Sequence, residues 1–158
     1  MTAAIARTHE RLIALTLSDA FVVHRHRHAL LGFIESEVDV LFANEGEIAA
    51  LFETESFDEA ADAVRSLVKI AALTRSEQGS VVVAGPTTHL IPAVAVQKVM
   101  DTTGAGDQYA AGFCYGLSQG RSLEVCGRLG SLAAAEVIAH YGPRPQVSLK
   151  DLAARAGL

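Results

Sequence analysis

The chain has 158 residues, enough for one domain with its own core, and half of them are hydrophobic, which excludes a disordered chain. A formal net charge of −5 supplies no basic field for binding nucleic acid or an anionic membrane surface. No run approaches the roughly 18 apolar residues of a membrane span, and residues 1–20 lack the apolar core of a signal peptide. We therefore expect a cytoplasmic protein.

The first half alternates short apolar runs with amphipathic stretches, a pattern typical of an α/β domain with buried parallel strands. Asn44 is a candidate N-cap, because Glu45 and Glu47 follow it in the first turn of a helix. The predicted helices are Ala3–Arg11, His28–Glu35, Glu45–Phe52 and Phe57–Ile70, and the predicted strands are residues 12–17, Val38–Phe42 and Ala71–Thr74.

The second half begins with a predicted hairpin, in which two short strands are joined through Gly85-Pro86. Cys114 and Cys126 both fall inside apolar helical pattern and are expected to be buried, reduced thiols. The predicted strands are Val81–Ala84, His89–Ile91 and Val94–Val96, and the predicted helices are residues 104–119, Leu123–His140 and Asp151–Ala156.

The run His24-Arg25-His26-Arg27-His28 is interpreted as a solvated basic turn before a helix. Alternate residues share a face only in a strand, and no cysteine or paired acid lies near the three histidines, so a metal site is disfavoured. Contact of Arg25 or Arg27 with a nucleotide phosphate or a partner acid is the alternative.

The most informative segment is Asp101-Thr102-Thr103-Gly104-Ala105-Gly106-Asp107, which runs directly into an apolar helical stretch. Two glycines and an alanine leave backbone N–H groups bare at a helix N-terminus, where unpaired donors and the helix dipole attract phosphate. The carboxylate of Asp107 follows immediately, and an anion site with an adjacent base favours phosphoryl transfer to a hydroxyl. The alternative is a first-turn acid that only complements the dipole, worth about 0.3–1 kcal/mol.

Residues 101–107 with the following Gln108–Phe113 closely resemble the second signature of the PfkB, or ribokinase-like, carbohydrate and nucleoside kinases. Asn44-Glu45-Gly46-Glu47 is similar to the Asn-x-x-Glu motif of that family, and residues 74–79 to its Thr-x-Gly-x-x-Gly turn. Residues 133–145 are similar to the closing helix and loop that border the adenine. Ser76 stands where the family usually has glycine, and Gln108 where a small residue is common.

The resemblance implies a Rossmann-like three-layer α/β/α fold with a mostly parallel sheet and a C-terminal β-hairpin. It covers nearly the whole chain but only the C-terminal part of such a kinase. Residues 1–158 are therefore expected to form a single partial domain, the ATP-binding and catalytic part, without the lid and the N-terminal βαβ units. One sheet edge would then be uncovered, and such an edge can drive homodimer formation.

The resemblance also implies roles for individual residues. Asp107 is the implied general base, and backbone N–H groups of Gly104, Ala105 and Gly106 are the implied anion hole. The residues implied to bind ATP are Thr74, Gly79, Asn44, Glu47 and Gly142. Glu47 is also implied to hold Mg²⁺ through water. Asp101 and Thr103 are implied to bind a monovalent cation such as K⁺.

Two of these assignments have structural alternatives. Asn44 and Glu47 also fit an N-cap with a first-turn acid, and Thr74 and Gly79 also fit an ordinary turn.

The resemblance implies an ATP-dependent phosphotransferase. Its small-molecule acceptor would be a hydroxyl of adenosine or a related nucleoside or sugar, because residues 15–21, 38–45 and 57–60 are most similar to adenosine-kinase-type members. The alternative is a truncated, inactive product that only binds nucleotide or a partner.

Overall fold

The computed structural model describes residues 2–158. The elements below are numbered in chain order. The helices are α1 (Thr2–Thr8), α2 (Ala20–Glu37), α3 (Glu45–Phe52), α4 (Phe57–Val64), α5 (Ala105–Ser118), α6 (Leu123–Ile138) and α7 (Leu149–Arg155), and a 3-10 turn spans Ser76–Gln78. The strands are β1 (Ala14–Thr16), β2 (Val40–Asn44), β3 (Ile70–Thr74), β4 (Ser80–Ala84) and β5 (Thr87–Ile91).

The strands form one sheet in the order β1-β2-β3-β4-β5. The first three strands are parallel, with Leu15 opposite Leu41 and Asn44 opposite Thr74. Helix α2 connects β1 to β2, and α3 with α4 connect β2 to β3, because parallel strands need a crossover. Only two residues join β4 to β5, which is the length of a hairpin turn. The predicted α/β fold with a mostly parallel sheet is confirmed.

The chain divides into two compact units, one comprising the residues up to Thr74 with Val83–Thr88, the other Arg75–Val82 with His89–Leu158. The first unit packs α2, α3 and α4 around β2 and β3. Its side chains with almost no exposure include Val23, Ile34, Leu41, Ile48, Leu51, Val64 and Leu73.

A buried carboxylate is also part of the first unit. Asp39 is 2% exposed and accepts hydrogen bonds from the Ile13 amide and from Arg7, and its Oδ1 lies 2.8 Å from Lys69 Nζ. Burial by itself would raise the pKa of Asp39, but the contacts from Lys69, Ile13 and Arg7 outweigh it and hold that pKa below its ordinary value. The carboxylate thus ties the start of β2 to three other segments.

The second unit is built on the close packing of α5 against α6. A Cβ added at Gly112 would lie 2.6 Å from the Leu129 carbonyl oxygen, and one at Gly130 would lie 2.8 Å from the Tyr109 carbonyl oxygen. Glycine at these positions therefore lets the two backbones approach. In the core beneath them, Tyr109 Oη lies 2.8 Å from the buried Ser80 Oγ, and burial raises the pKa of Tyr109 to about 12.

Three predicted elements differ from the structure. The basic run 24–28 lies within α2, because Asp19 accepts from the Phe21 and Val22 amides and starts the helix at Ala20; only His26 departs from helical angles. Helix α4 ends at Val64, six residues before the predicted end, and residues 94–96 form no strand. Of the other predicted helices and strands, α3 has the predicted bounds, and the rest are present with shifted ends.

Further sequence predictions concern thiols and membrane segments. Cys114 and Cys126 are free thiols; Cys126 is buried and Cys114 is partly exposed, and burial raises the pKa of both. Within residues 2–158, no helix has both the length and the apolar character needed to cross a membrane.

Candidate active site

The predicted site residues fall into two groups. Asn44, Glu47 and Thr74 belong to the first compact unit, while Gly79, residues 101–107 and Gly142 belong to the second.

The turn before α5 presents free backbone donors. Gly104 is the N-cap residue, with a φ of 79° in the left-handed region that favours glycine. Within residues 2–158, the amides of Gly104, Gly106 and Asp107 have no hydrogen-bond acceptor, as the first turn of a helix leaves them. The Ala105 amide differs, since it donates to the Thr102 carbonyl oxygen at 3.1 Å. Ala105 therefore holds the turn, and its amide is not among the free donors.

Asp107 lies in the first turn of α5, next to these amides, and its side chain is exposed. In the described part of the chain it makes no hydrogen bond or ion pair through its carboxylate. A carboxylate without an internal partner is available to accept a proton from a bound hydroxyl. Its neighbour Gln108 instead donates from Nε2 to the Pro143 carbonyl oxygen at 3.2 Å.

Asp101 connects this turn to a second loop. Its Oδ1 accepts from the amide and the hydroxyl of Thr103, at 2.9 and 2.7 Å, and its Oδ2 accepts from the Gly142 amide at 3.1 Å. These bonds to the Thr103 side chain, the Thr103 amide and the Gly142 amide lower the pKa of Asp101. Asp101 and Thr103, the residues expected near a monovalent cation, are thus already hydrogen-bonded to each other.

Asn44 and Glu47 form a reciprocal capping box at the start of α3. Asn44 Oδ1 accepts from the Glu47 amide at 2.8 Å, and Glu47 Oε2 accepts from the Asn44 amide at 2.9 Å. Glu47 Oε1 also accepts from Asn44 Nδ2 at 2.8 Å. Glu47 is 6% exposed, and this burial raises its pKa, opposed by the bond from the Asn44 amide. Asn44 and Glu47 therefore cap α3, as the structural alternative for this pair predicts.

The magnesium expectation fits this geometry only as an indirect contact. Both oxygens of Glu47 already accept from Asn44, and within residues 2–158 no cluster of three His, Cys, Asp or Glu side chains could hold a metal ion. Mg²⁺ on nucleotide phosphates usually keeps several waters, so a carboxylate can act on it through one of them.

The turn that follows β3 has a structural explanation for its glycine. Gly79 has a φ of 85°, and an added Cβ would lie 2.0 Å from the Ile91 carbonyl oxygen. Its amide donates to the Ser76 carbonyl oxygen at 3.1 Å. Ser76, where the family usually has glycine, itself adopts a left-handed φ of 50°. Thr74 ends β3 beside Asn44 at the carboxyl edge of the parallel strands.

Sequence reasoning missed one residue near the site. Glu136 on α6 accepts through Oε1 from His140 Nε2 at 3.2 Å and from the Gln146 amide at 2.9 Å. The available signal was an acid on the buried face of an alanine-rich helix, four residues before a histidine.

The basic run has a local explanation. Arg27 donates from Nε to the Leu51 carbonyl oxygen at 2.7 Å and pairs with Glu53 at 3.2 Å. Arg27 therefore pairs with an acid of this same chain, which is neither the nucleotide phosphate nor the partner acid named in the alternative.

Two solved kinases are similar to this chain in fold and in sequence. The adenosine kinase of Sinorhizobium meliloti matches 98% of this chain with a TM-score of 0.95 and 52% identity. A probable sugar kinase of Rhizobium etli CFN 42 matches 98% with a TM-score of 0.96 and 47% identity. In each case the chain covers 47% of the solved protein.

Curated sequences give the same relationship. The cytidine kinase of Thermococcus kodakarensis is 37% identical over 119 residues, which are 73% of this chain and 42% of that protein. The chain thus spans less than half the length of these relatives. Residues 2–149 match the pfkB family of carbohydrate kinases, and by this match over nearly its whole length the chain belongs to that family.

Proposed function

We propose that this chain carries the ATP-binding and catalytic part of a kinase that phosphorylates a hydroxyl of adenosine or a related nucleoside or sugar. The observation that carries the proposal is the start of α5. There, three amides without acceptors adjoin an exposed carboxylate without an internal partner.

In this proposal the α5 N-terminus holds the phosphoryl group during transfer. The amides of Gly104, Gly106 and Asp107 donate to its oxygens, and the helix dipole adds about half a positive charge at the same place. The Ala105 amide keeps its bond to Thr102 and shapes the turn. Because these donors are fixed before the reaction, they stabilise developing charge with little reorganisation.

Asp107 is the proposed general base. Its carboxylate takes the proton from the acceptor hydroxyl as the oxygen attacks the γ-phosphorus of ATP, and ADP leaves. No ion pair of the Asp107 carboxylate has to break before the proton transfer, because Asp107 forms no ion pair within the described residues.

The remaining assignments concern ATP and its ions. Thr74, Gly79 and Gly142 are proposed to lie along the nucleotide, and Glu47, oriented by Asn44, to reach Mg²⁺ through water. Bound Mg²⁺ would neutralise charge on the phosphates. Asp101 and Thr103 are proposed to bind a monovalent cation such as K⁺.

The acceptor is proposed from the relatives. A solved adenosine kinase is 52% identical to this chain, and segments 15–21, 38–45 and 57–60 are most similar to adenosine-kinase-type members. Relatives named for cytidine and for sugar are also similar, so adenosine is the first acceptor to test, followed by cytidine and a sugar panel.

The test is ADP release by a chimera in which these 158 residues replace the matching part of the Sinorhizobium meliloti kinase. Asp107→Asn should lower kcat by roughly 10²–10⁴-fold with little change in the KM for ATP. Asp151→Asn is the matched control, because Asp151 is also an exposed first-turn acid of a helix in the same compact unit. It should leave kcat unchanged.

Two outcomes separate the alternatives. If Asp107→Asn turns over like the unsubstituted chimera, Asp107 only complements the dipole and the proposal is wrong. If the chimera binds ATP and folds but never releases ADP, the chain supplies nucleotide binding without catalysis.

A further inference from the structure

The loop 140–146 is closed at both ends by one buried side chain. Glu136 Oε1 accepts from His140 Nε2 at 3.2 Å and from the Gln146 amide at 2.9 Å. The Glu136 side chain is 8% exposed and that of His140 is 15% exposed. A carboxylate that accepts two donors in a buried setting holds them more firmly than a neutral acceptor would. Glu136 therefore fixes where the loop leaves α6 and where it ends.

The same loop packs against the turn that begins α5. Asp101 Oδ2 accepts from the Gly142 amide at 3.1 Å, and Gln108 Nε2 donates to the Pro143 carbonyl oxygen at 3.2 Å. A Cβ atom added at Gly104 would lie only 2.6 Å from Pro143 Cβ, so the loop is in close contact with this turn. Displacement of the loop would therefore remove the support behind Gly104.

The two oxygens of the Glu136 carboxylate have different contacts. Its second oxygen, Oε2, is buried and has no hydrogen-bond partner within residues 2–158. A buried carboxylate with an unsatisfied oxygen costs stability relative to an apolar side chain of similar size. Its compensating feature is the pair of donors that Oε1 receives from the loop.

We propose that Glu136 is a positioning residue for phosphoryl transfer. It fixes loop 140–146 through His140 and the Gln146 amide, and the loop holds the Gly104 turn in the geometry that binds phosphate. This inference rests on the proposed function.

The test compares Glu136→Met with Glu136→Gln in the same chimera with the Sinorhizobium meliloti kinase. Methionine removes the acceptor, whereas glutamine keeps one oxygen in a side chain of the same shape. Amide hydrogen exchange should accelerate about tenfold or more at Gly142 and Gln146 in Glu136→Met, and the Kd for ATP measured by calorimetry should rise about tenfold. Glu136→Gln should restore both values most of the way. Glu124→Met, at an exposed position on the same helix, should change neither.

Several results would overturn the inference. Unchanged exchange at Gly142 and Gln146 in Glu136→Met would do so, as would equal acceleration throughout α5 and α6, which indicates general destabilisation. Failure of glutamine to rescue would also count against it. If Glu136→Met does not fold, His140→Ala removes one of the two donors and should accelerate exchange at Gly142 to a smaller extent.

The two proposals can fail separately. If the unsubstituted chimera folds but does not bind ATP, the proposed function is wrong, and the role of Glu136 at a phosphate site is wrong with it. The exchange data then still decide whether Glu136 fixes the loop. If ATP binds but Glu136→Met binds it equally well, only the inference about Glu136 is overturned.

Discussion

Replacing Gly104 by alanine should destabilise the turn that begins α5, for two reasons. Gly104 has a φ of 79°, a conformation that costs an L-residue about 1–2 kcal/mol. The new Cβ would also lie 2.6 Å from Pro143 Cβ and 3.2 Å from Pro143 Cα, inside the 3.4 Å at which ordinary contact begins. Pro143 would have to retreat, although Gln108 and the Asp101–Gly142 bond hold its loop in place.

The expected magnitude follows from these two contributions. Overpacking of a well-filled site costs about 1–3 kcal/mol, so strain and overpacking together should lower the free energy of unfolding by about 2–5 kcal/mol. For a chain of this size that corresponds to a fall in Tm of roughly 4–20 °C. The affinity for ATP should fall as well, because the amide of residue 104 is one of the proposed phosphate donors and would be displaced.

Gly106→Ala is the matched control. No heavy atom lies within 4 Å of a Cβ at Gly106, and its φ is not in the left-handed region. Alanine is the better helix former by up to about 1 kcal/mol, so Tm should stay the same or rise. Thermal unfolding followed by far-ultraviolet circular dichroism measures both variants. Equal Tm values for the two would refute the reasoning about Gly104.

Three further predictions concern stability and are measured by urea unfolding. Asp39→Asn should lower the free energy of unfolding by about 1–3 kcal/mol at neutral pH. The pKa of Asp39 is lowered in the folded state, so its carboxylate contributes its full stabilisation above the unfolded-state pKa and loses it as the pH falls through the folded-state pKa. The difference in unfolding free energy between Asp39→Asn and the unsubstituted chain should therefore shrink in acid. A difference that stays constant with pH would contradict this. Asn44→Ala should cost about 1 kcal/mol by removing the cap on the Glu47 amide, and no loss would mean that the capping box contributes nothing. Tyr109→Phe should cost about 1–2 kcal/mol, because it leaves the buried Ser80 hydroxyl without its partner, and an unchanged stability would show that Ser80 finds another.

Elements whose signals are local were predicted well from the sequence. The capping box is an example, because Asn44 and Glu47 are three residues apart and the apolar run of α3 follows them. The hairpin through Gly85-Pro86 and the start of α5 after Gly104 have similarly local signals. In each case the residues that determine the backbone are neighbours in the chain.

Two of the wrong predictions came from local signals that were interpreted incorrectly or were overridden. The basic run 24–28 is polar enough to suggest a turn, yet Asp19 caps a helix five residues earlier, and the side chains of that run can remain solvated on a helix. Val94 and Val96 have strand-forming side chains, but residues 94–96 have no strand conformation in the structure. High strand propensity does not form a strand without a partner to pair with.

The sequence by itself determined the family signature, the order of strands and helices, and the presence of free amides and a carboxylate at the start of one helix. Only the tertiary structure decided which groups are already in use. In the structure, the Ala105 amide donates to Thr102, and the Asp101 carboxylate accepts from Gly142, forty-one residues away. The Glu136 carboxylate accepts hydrogen bonds from both ends of a loop. Helix caps and turns depend on residues a few positions apart, so the sequence displays them. Hydrogen bonds between distant segments depend on how loops close and helices pack, which no local pattern encodes.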